Sequence, residues 1–332
     1  MKAGKIGVKK LSNTILNQIT HHRKDVLLGA QIGEDSAVVD FGENSLVISS
    51  DPITGAAQNA GYLAVNVACN DLASTGATPI GVEVVLLLPT GTTEEKTIKI
   101  MKEIDSSAQE IDVEVLGGHT EVLDLVTEPI IVVTAIGKVK KGRHIPTSKA
   151  KAGDDIILTK GAGIEGTYIL ANDFENKLIK KNINKEILDS AKKFKNKISV
   201  ITEGEIAAEL MANALHDITE GGLYGGVKEM ALASNLGYKI YKDKVIVNKE
   251  TAEITKLLEL DPLGLISSGS MLIAASNGEE ILRKLNEKGI KGSIIGKFTA
   301  DKNYILYKKG KKVNIEKEKE RKDELWRFLE KN

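Results

Sequence analysis

Three aspartates close or open short apolar runs. Asp35 follows Gly33-Glu34 in a loop before a strand-like stretch, Asp51 ends LVISSD, and Asp71 lies in AVNVACNDLAS. In that last segment Asn66 and Asn70 stand one helical turn apart, and Asp71 adjoins them among small and apolar residues. Such a polar stripe is largely buried, and buried polar groups need partners. Aspartates with asparagine carbonyls make a hard-oxygen set suited to Mg²⁺, which takes one or two carboxylates, water and substrate phosphate. The plainer alternative has Asp51 capping a turn and Asp71 pairing with a basic residue.

Glycine-rich strings supply the other candidates. Gly117-Gly118-His119-Thr120-Glu121 follows a strand-like run. Paired glycines there let backbone N–H groups face a phosphate, and the Thr120 hydroxyl adds a donor. His119 either donates to the phosphate or caps and packs. Gly161-Ala162-Gly163-Ile164-Glu165-Gly166 fits the G-x-G-x-x-G dinucleotide pattern after DDIILT. That reading, a nicotinamide dehydrogenase, requires a second strand ending in an acid about 20 residues on. NDFENKLIKKNINKEIL stands there instead, polar and helical. What survives is a glycine loop feeding a helix N-terminus, which favours an anion. His216-Asp217-Ile218-Thr219-Glu220-Gly221-Gly222-Leu223 reads as a helix start with close backbone approach, and 261–269 (DPLGLISSG) as a hydroxyl-rich turn before a strand.

The elements that must position these residues follow from periodicity. Leu11, Ile15 and Ile19 predict an amphipathic helix over 8–22. Strands are predicted at 36–41 and 45–50, joined through Gly42-Glu43-Asn44, then a helix over 60–75, a strand at 80–88, a helix over 93–110, a strand at 113–116 stopping at the paired glycines, and a strand at 129–139. The basic stretch 138–151 lacks an apolar face and reads as a link, dividing the chain into 1–145 and 146–332. Beyond it lie a strand at 154–159, helices at 183–195, 203–215, 221–235, 252–258 and 279–288, strands at 270–275, 293–295 and 304–307, and a charged helical tail from Glu316. Both halves are α+β, without the steady alternation of a doubly wound sheet.

Composition narrows the function. With 46 Lys+Arg against 46 Asp+Glu in 332 residues, the chain has no global electrostatic footprint for nucleic acid or an anionic membrane. The single cysteine, Cys69, excludes a disulfide framework and a thiolate zinc cluster. No apolar run reaches the ~18 residues of a membrane span, and the N-terminal stretch carries no signal-like apolar region. A cytoplasmic protein is expected.

Six strings, in order, resemble those of a known superfamily: G-E-D-S-A-V-V at 33–39, S-S-D at 49–51, V-N-x-x-x-N-D-L-A-x-x-G-A-x-P at 65–79, G-G-H-T-E at 117–121, H-D-I-T-E-G-G-L at 216–223 and D-P-L-G-L-I-S-S-G at 261–269. They are those of aminoimidazole ribonucleotide synthetase (PurM), selenophosphate synthetase, thiamine-monophosphate kinase and the hydrogenase maturation factor HypE. The resemblance covers roughly 8–310. It implies a two-domain PurM-like fold whose N-terminal domain pairs with its twin in a dimeric β-barrel, with ATP at the dimer interface. It implies Asp35, Asp51 and Asp71 as Mg²⁺ ligands, Asn70 in support, Gly117, Gly118, His119 and Thr120 on the phosphates, and Asp217, Gly221 and Gly222 facing the acceptor. The shared chemistry is ATP-dependent activation of an oxygen, for which the protein supplies position and charge.

The second-half strings look most like the HypE branch. That branch acts through a C-terminal cysteine, and selenophosphate synthetase through a Cys or selenocysteine near its N-terminus; the only cysteine here is Cys69, inside the polar-striped helix. A HypE-like relative with another acceptor, a small molecule or a protein-borne group, is therefore expected, without carbamoylation of this chain. The alternative is a non-catalytic nucleotide-binding maturation or regulatory factor acting with a protein partner.

Overall fold

The computed structural model describes residues 6–53, 58–313 and 322–331. The first half opens with α1 (Val8–Thr14), after which a 3-10 turn at Leu16–Gln18 breaks the helix expected through residue 22. Then come β1 (Val26–Leu28), β2 (Ala37–Phe41), β3 (Asn44–Ile53), α2 (Ala60–Ala73), β4 (Thr78–Pro89), α3 (Glu94–Glu110), β5 (Glu114–Leu123) and β6 (Ile130–Lys140). The strands pair in the order β1-β2-β3-β6-β4-β5. Only β4 and β5 run parallel. The sheet is open, with β1 and β5 at its edges, so the described residues of the single chain form no closed barrel.

One face of the sheet buries Val38, Val47, Val84 and Val133 beneath α2. The other carries half-buried Ile48, Val85, Leu87, Val132 and Ile136, brought side by side by the pairings Ile48 to Ile136 and Val85 to Val132. Helix α2 is apolar on every side apart from its stripe of Asn66, Asn70 and Asp71, and Gly61 to Ala73 are buried without exception. A helix of that kind lies between two layers. Val65, Ala68 and Leu72 pack on the first sheet, while Leu63 and Ala73 pack into clusters of the second half.

A 3-10 turn at Thr147–Lys149 leads into the second half. It contains β7 (Asp155–Thr159), α4 (Ile164–Asp173), α5 (Glu175–Lys180), α6 (Lys185–Lys192), α7 (Ile201–Glu209), β8 (Ala214–Asp217), α8 (Gly222–Ala233), β9 (Gly237–Tyr241), α9 (Lys249–Leu258), β10 (Met271–Ala275), α10 (Gly278–Glu287), β11 (Gly292–Thr299), β12 (Tyr304–Lys308), β13 (Lys311–Val313) and α11 (Glu324–Leu329). Its sheet order is β13-β12-β9-β11-β7-β10-β8.

Three sequence expectations are corrected. The strand predicted to stop at Gly117 continues through Gly117-Gly118-His119-Thr120 to Leu123. The helix predicted over 203–215 ends at Glu209; Met211 turns the chain at φ +55°, and β8 follows. The tail helix begins at Glu324, and the first part of its expected range, 316–321, lies outside the described residues.

Candidate functional site

The cluster that the structure assembles lies where the first sheet, α2 and β8 meet. Asp51 lies near the end of the core-facing row of β3, one place before Ile53, Asp71 projects from the last turn of α2, Asp35 precedes β2, and Asp217 ends β8. Asp71 is 6% exposed and Asp217 1%. Burial, then the charges of Asp51, Asp217 and Asp35, push the Asp71 carboxyl well above the usual carboxylate range. The Asp51 carboxylate is, after burial, the nearest cause of that rise, so it stands beside Asp71.

Serines and a histidine hold these acids in place. The Ser49 hydroxyl donates to Asp71 Oδ2. Ser74 donates to Asp35 Oδ2 at 2.9 Å, and Ser36 to the Asp71 carbonyl at 2.8 Å. His216, also buried, sets Nδ1 2.9 Å from Asp35 and Nε2 3.3 Å from Glu229. Burial disfavours its charge, but Asp35 and Glu229 outweigh that and hold the imidazole charged well above the usual histidine range. His216 stood in one of the strings without a role assigned to it. Glu229 carried no local signal, because only the packing of α8 against β8 brings it there. Glu34 was missed for the same reason: its carboxylate accepts from the Thr147 and Ser148 N–H groups, each at 3.0 Å, and ties the link to the first sheet.

Among the described residues, no group of three or more His, Cys, Asp or Glu side chains is arranged to hold a metal ion by itself. Mg²⁺ does not require such a cage, since it keeps waters and takes phosphate oxygens. The donor set fits it: the buried Asp71 carboxyl is pushed up by the charges of Asp51, Asp217 and Asp35, a repulsion that a cation would relieve.

The remaining candidates fall elsewhere. Asn70 is fully buried; its Nδ2 donates to the Ile198 carbonyl and its Oδ1 accepts from the Val200 N–H, both at 2.8 Å. Its amide is spent on joining α2 to the second half, where support for the cation site was expected. Gly117, Gly118, His119 and Thr120 lie on the exposed edge strand β5. Gly118 shares a row with Asp51 through Val84 and Val133, three strand spacings away, roughly 14 Å. A Cβ on Gly118 would meet the Val84 carbonyl oxygen at 1.8 Å, so strand approach alone demands glycine there. His119 is exposed, 3.8 Å from Glu121. Gly221 and Gly222 do not present free N–H groups: Gly221 donates to Asp323 Oδ2 at 2.7 Å and Gly222 to the Thr219 carbonyl at 3.1 Å.

The glycine loop before α4 is likewise closed to an anion. Gly163 and Ile164 donate to the Ser267 hydroxyl at 2.8 and 3.2 Å, and Gly166 to the Ile266 carbonyl at 2.9 Å. Strand β7 is antiparallel to both neighbours, β10 and β11, which removes the parallel crossover that a dinucleotide fold needs.

Two family models match the chain, the N-terminal domain of AIR synthase related protein over residues 33–139 and its C-terminal domain over 151–309. The chain belongs to the AIR synthase related family, within the PurM superfamily. It is 31% identical over 317 residues to a putative hydrogenase expression/formation protein of Methanocaldococcus jannaschii, covering 91% of this chain and 90% of that one. It is 27% identical to a selenide, water dikinase of Carboxydothermus hydrogenoformans (90% and 95% covered) and 26% identical to a carbamoyl dehydratase HypE of Bradyrhizobium diazoefficiens (82% and 80%). In fold it is similar to HypE of a HypE–HypF complex, with TM-score 0.71, 21% identity and 84% and 92% covered. It is also similar to HypE in complex with ATP, with TM-score 0.68, 19% identity and 92% and 90% covered. Among the described residues no helix is long and apolar enough to cross a membrane.

Proposed function

We propose that this chain binds ATP with Mg²⁺ and transfers a phosphoryl group to an oxygen of an acceptor, as a PurM-type enzyme. The observation that carries this reading is the acid cluster in which buried Asp71 and Asp217 meet half-buried Asp51 and Asp35. Asp35, Asp51 and Asp71 would hold the cation, which when bound neutralises charge on the phosphate oxygens. The chain's own residues then work by position. Ser49 fixes the Asp71 carboxylate, and His216, braced on Glu229, fixes that of Asp35. Relatives named for a dikinase, a dehydratase and an ATP complex support the reading.

The acceptor is a small molecule or a group borne by a partner protein. It is not Cys69, which is buried with its thiol pushed up to about 12 by desolvation and is inert as a nucleophile. Residues 1–145 would form the nucleotide and dimerisation unit and 146–332 the covering domain. A second copy would cover the half-buried face of Ile48, Val85, Leu87, Val132 and Ile136 and complete a barrel. It would also offer its exposed Gly117–Thr120 edge to the acids that lie too far from this chain's own edge. Light scattering at micromolar concentration is expected to give twice the 35.8 kDa chain mass; a monomer would refute this assembly.

The activity is tested by ADP release from Mg·ATP with the full chain, against amides, amines, phosphate esters and selenide. Release that depends on one acceptor class and on Mg²⁺ is expected. Absence of Mg²⁺-dependent ATP binding in calorimetry would overturn the reading.

A further inference from the structure

Helix α11 has only six residues, too few to persist without tertiary support. Leu325 and Phe328 bury their side chains in the cluster formed by α4, α6 and the loop before β10, and Phe328 meets Phe174 edge-to-face at 4.9 Å. Its first two acids reach two different loops. Asp323 accepts from the Gly221 N–H at 2.7 Å while capping its own helix through the Leu325 N–H at 2.7 Å. Glu324 accepts from the Asp261 N–H at 3.1 Å. Those loops, 217–222 and 261–269, pack on each other so closely that a Cβ on Gly222 would lie 2.6 Å from the Leu265 carbonyl oxygen. One short helix thus fastens both glycine-bearing strings of the second half.

Beneath it lies an acid that no role above uses. Glu165, on the first turn of α4, is 4% exposed, and its Oε2 has no hydrogen-bond partner. The side chain bonds to Ser268 and faces the charges of Glu220 and Asp323. Asp323 in turn faces Glu220 and the N–H groups of Gly221, Leu325 and Ile266. The basic groups near the helix are engaged: Arg327 with Glu324, Lys322 with Glu330, and Lys177 over the Phe328 ring at 5.0 Å.

We infer that α11 is a releasable clamp on loops 217–222 and 261–269, closed while the buried Glu165 beside Asp323 is protonated and loosened when that proton leaves. Burial, chiefly, pushes both Glu165 and Asp323 up to about 7. With the helix released, both acids meet water and return to the ordinary carboxylate range. The closed form therefore binds the proton more tightly, so closure weakens as pH rises from about 4 and levels off above about 7. Glu165 is the natural proton holder, because the Asp323 oxygens already accept two N–H bonds. Asp323 is a positioning residue here, acting on Gly221 and through it on the loop.

Trp326, the only tryptophan in the sequence, lies within α11 and is partly buried, so it reports on the clamp directly. Acrylamide quenching of its fluorescence in the full chain should increase roughly twofold as pH rises across this window. Glu165→Gln, which keeps the shape of the protonated acid, should hold quenching low and flat over the same range. Glu220→Gln should shift the midpoint downward, and serves if Glu165→Gln fails to fold. Hydrogen exchange at the Gly221 amide should follow the same profile. Quenching that is independent of pH, or a wild-type profile retained in both variants, would overturn the clamp, since a purely structural helix would be blind to these protons.

Discussion

Asp71→Asn should lose Mg²⁺-dependent ATP affinity by roughly 10- to 150-fold in titration calorimetry, corresponding to the ~1.5–3 kcal/mol of a charge-assisted contact. The same substitution should leave the ligand-free fold at least as stable as the parent. Asparagine keeps the shape of a protonated aspartate and removes the charge that Asp51, Asp217 and Asp35 disfavour, while its Oδ1 still accepts from Ser49. The sign with pH follows from burial. The folded state holds the Asp71 proton more tightly than the unfolded chain, so the parent loses stability as pH rises through the raised value. The Asp71→Asn variant has no such proton to lose, and its advantage should grow toward alkaline pH, at about 2–4 °C in melting temperature per kcal/mol for a domain of this size. Unchanged Mg·ATP affinity, measured on protein shown to be folded, would sink the site assignment.

Asn70→Ala separates a structural role from a binding one. Two buried backbone groups, the Ile198 carbonyl and the Val200 N–H, would lose their partners. Each unsatisfied group costs about 1–3 kcal/mol, so urea denaturation should show a loss of roughly 2–6 kcal/mol. Affinity for Mg·ATP per folded molecule should stay within about threefold, because the side chain reaches no acid of the cluster. A stability loss under about 1 kcal/mol together with a tenfold weaker affinity would return Asn70 to the cation site.

The sequence carried the local half of this molecule. Short, strand-length apolar runs marked β2, β3, β4 and β6, and Gly42 marked the hairpin between β2 and β3, because run length and the backbone freedom of glycine are properties of a few neighbouring residues. A buried helix over 60–75 was legible from its small apolar residues, and its polar stripe marked Asp71 as a group needing partners. Beyond local pattern, the order of the six strings pointed to the family. The segment 203–215 misled, since Ala-rich apolar residues fit a helix as well as a buried strand, and only pairing with β10 makes β8 of its end.

What the tertiary structure decided is which polar groups are spent and which remain. Asp35, Asp51, Asp71 and Asp217 come from two loops or strand ends, a helix and a second sheet, and their mutual repulsion exists only once those elements pack. Asn70 has the same residue type and neighbourhood in sequence as a ligand would, yet its amide is taken by backbone 128 and 130 residues away. Glycines at 163, 221 and 222 look ready for an anion in sequence, and Ser267, Asp323 and the Thr219 carbonyl close them. Sequence specifies what a residue can bond to; competition among long-range partners, settled by burial and distance, determines what it does bond to.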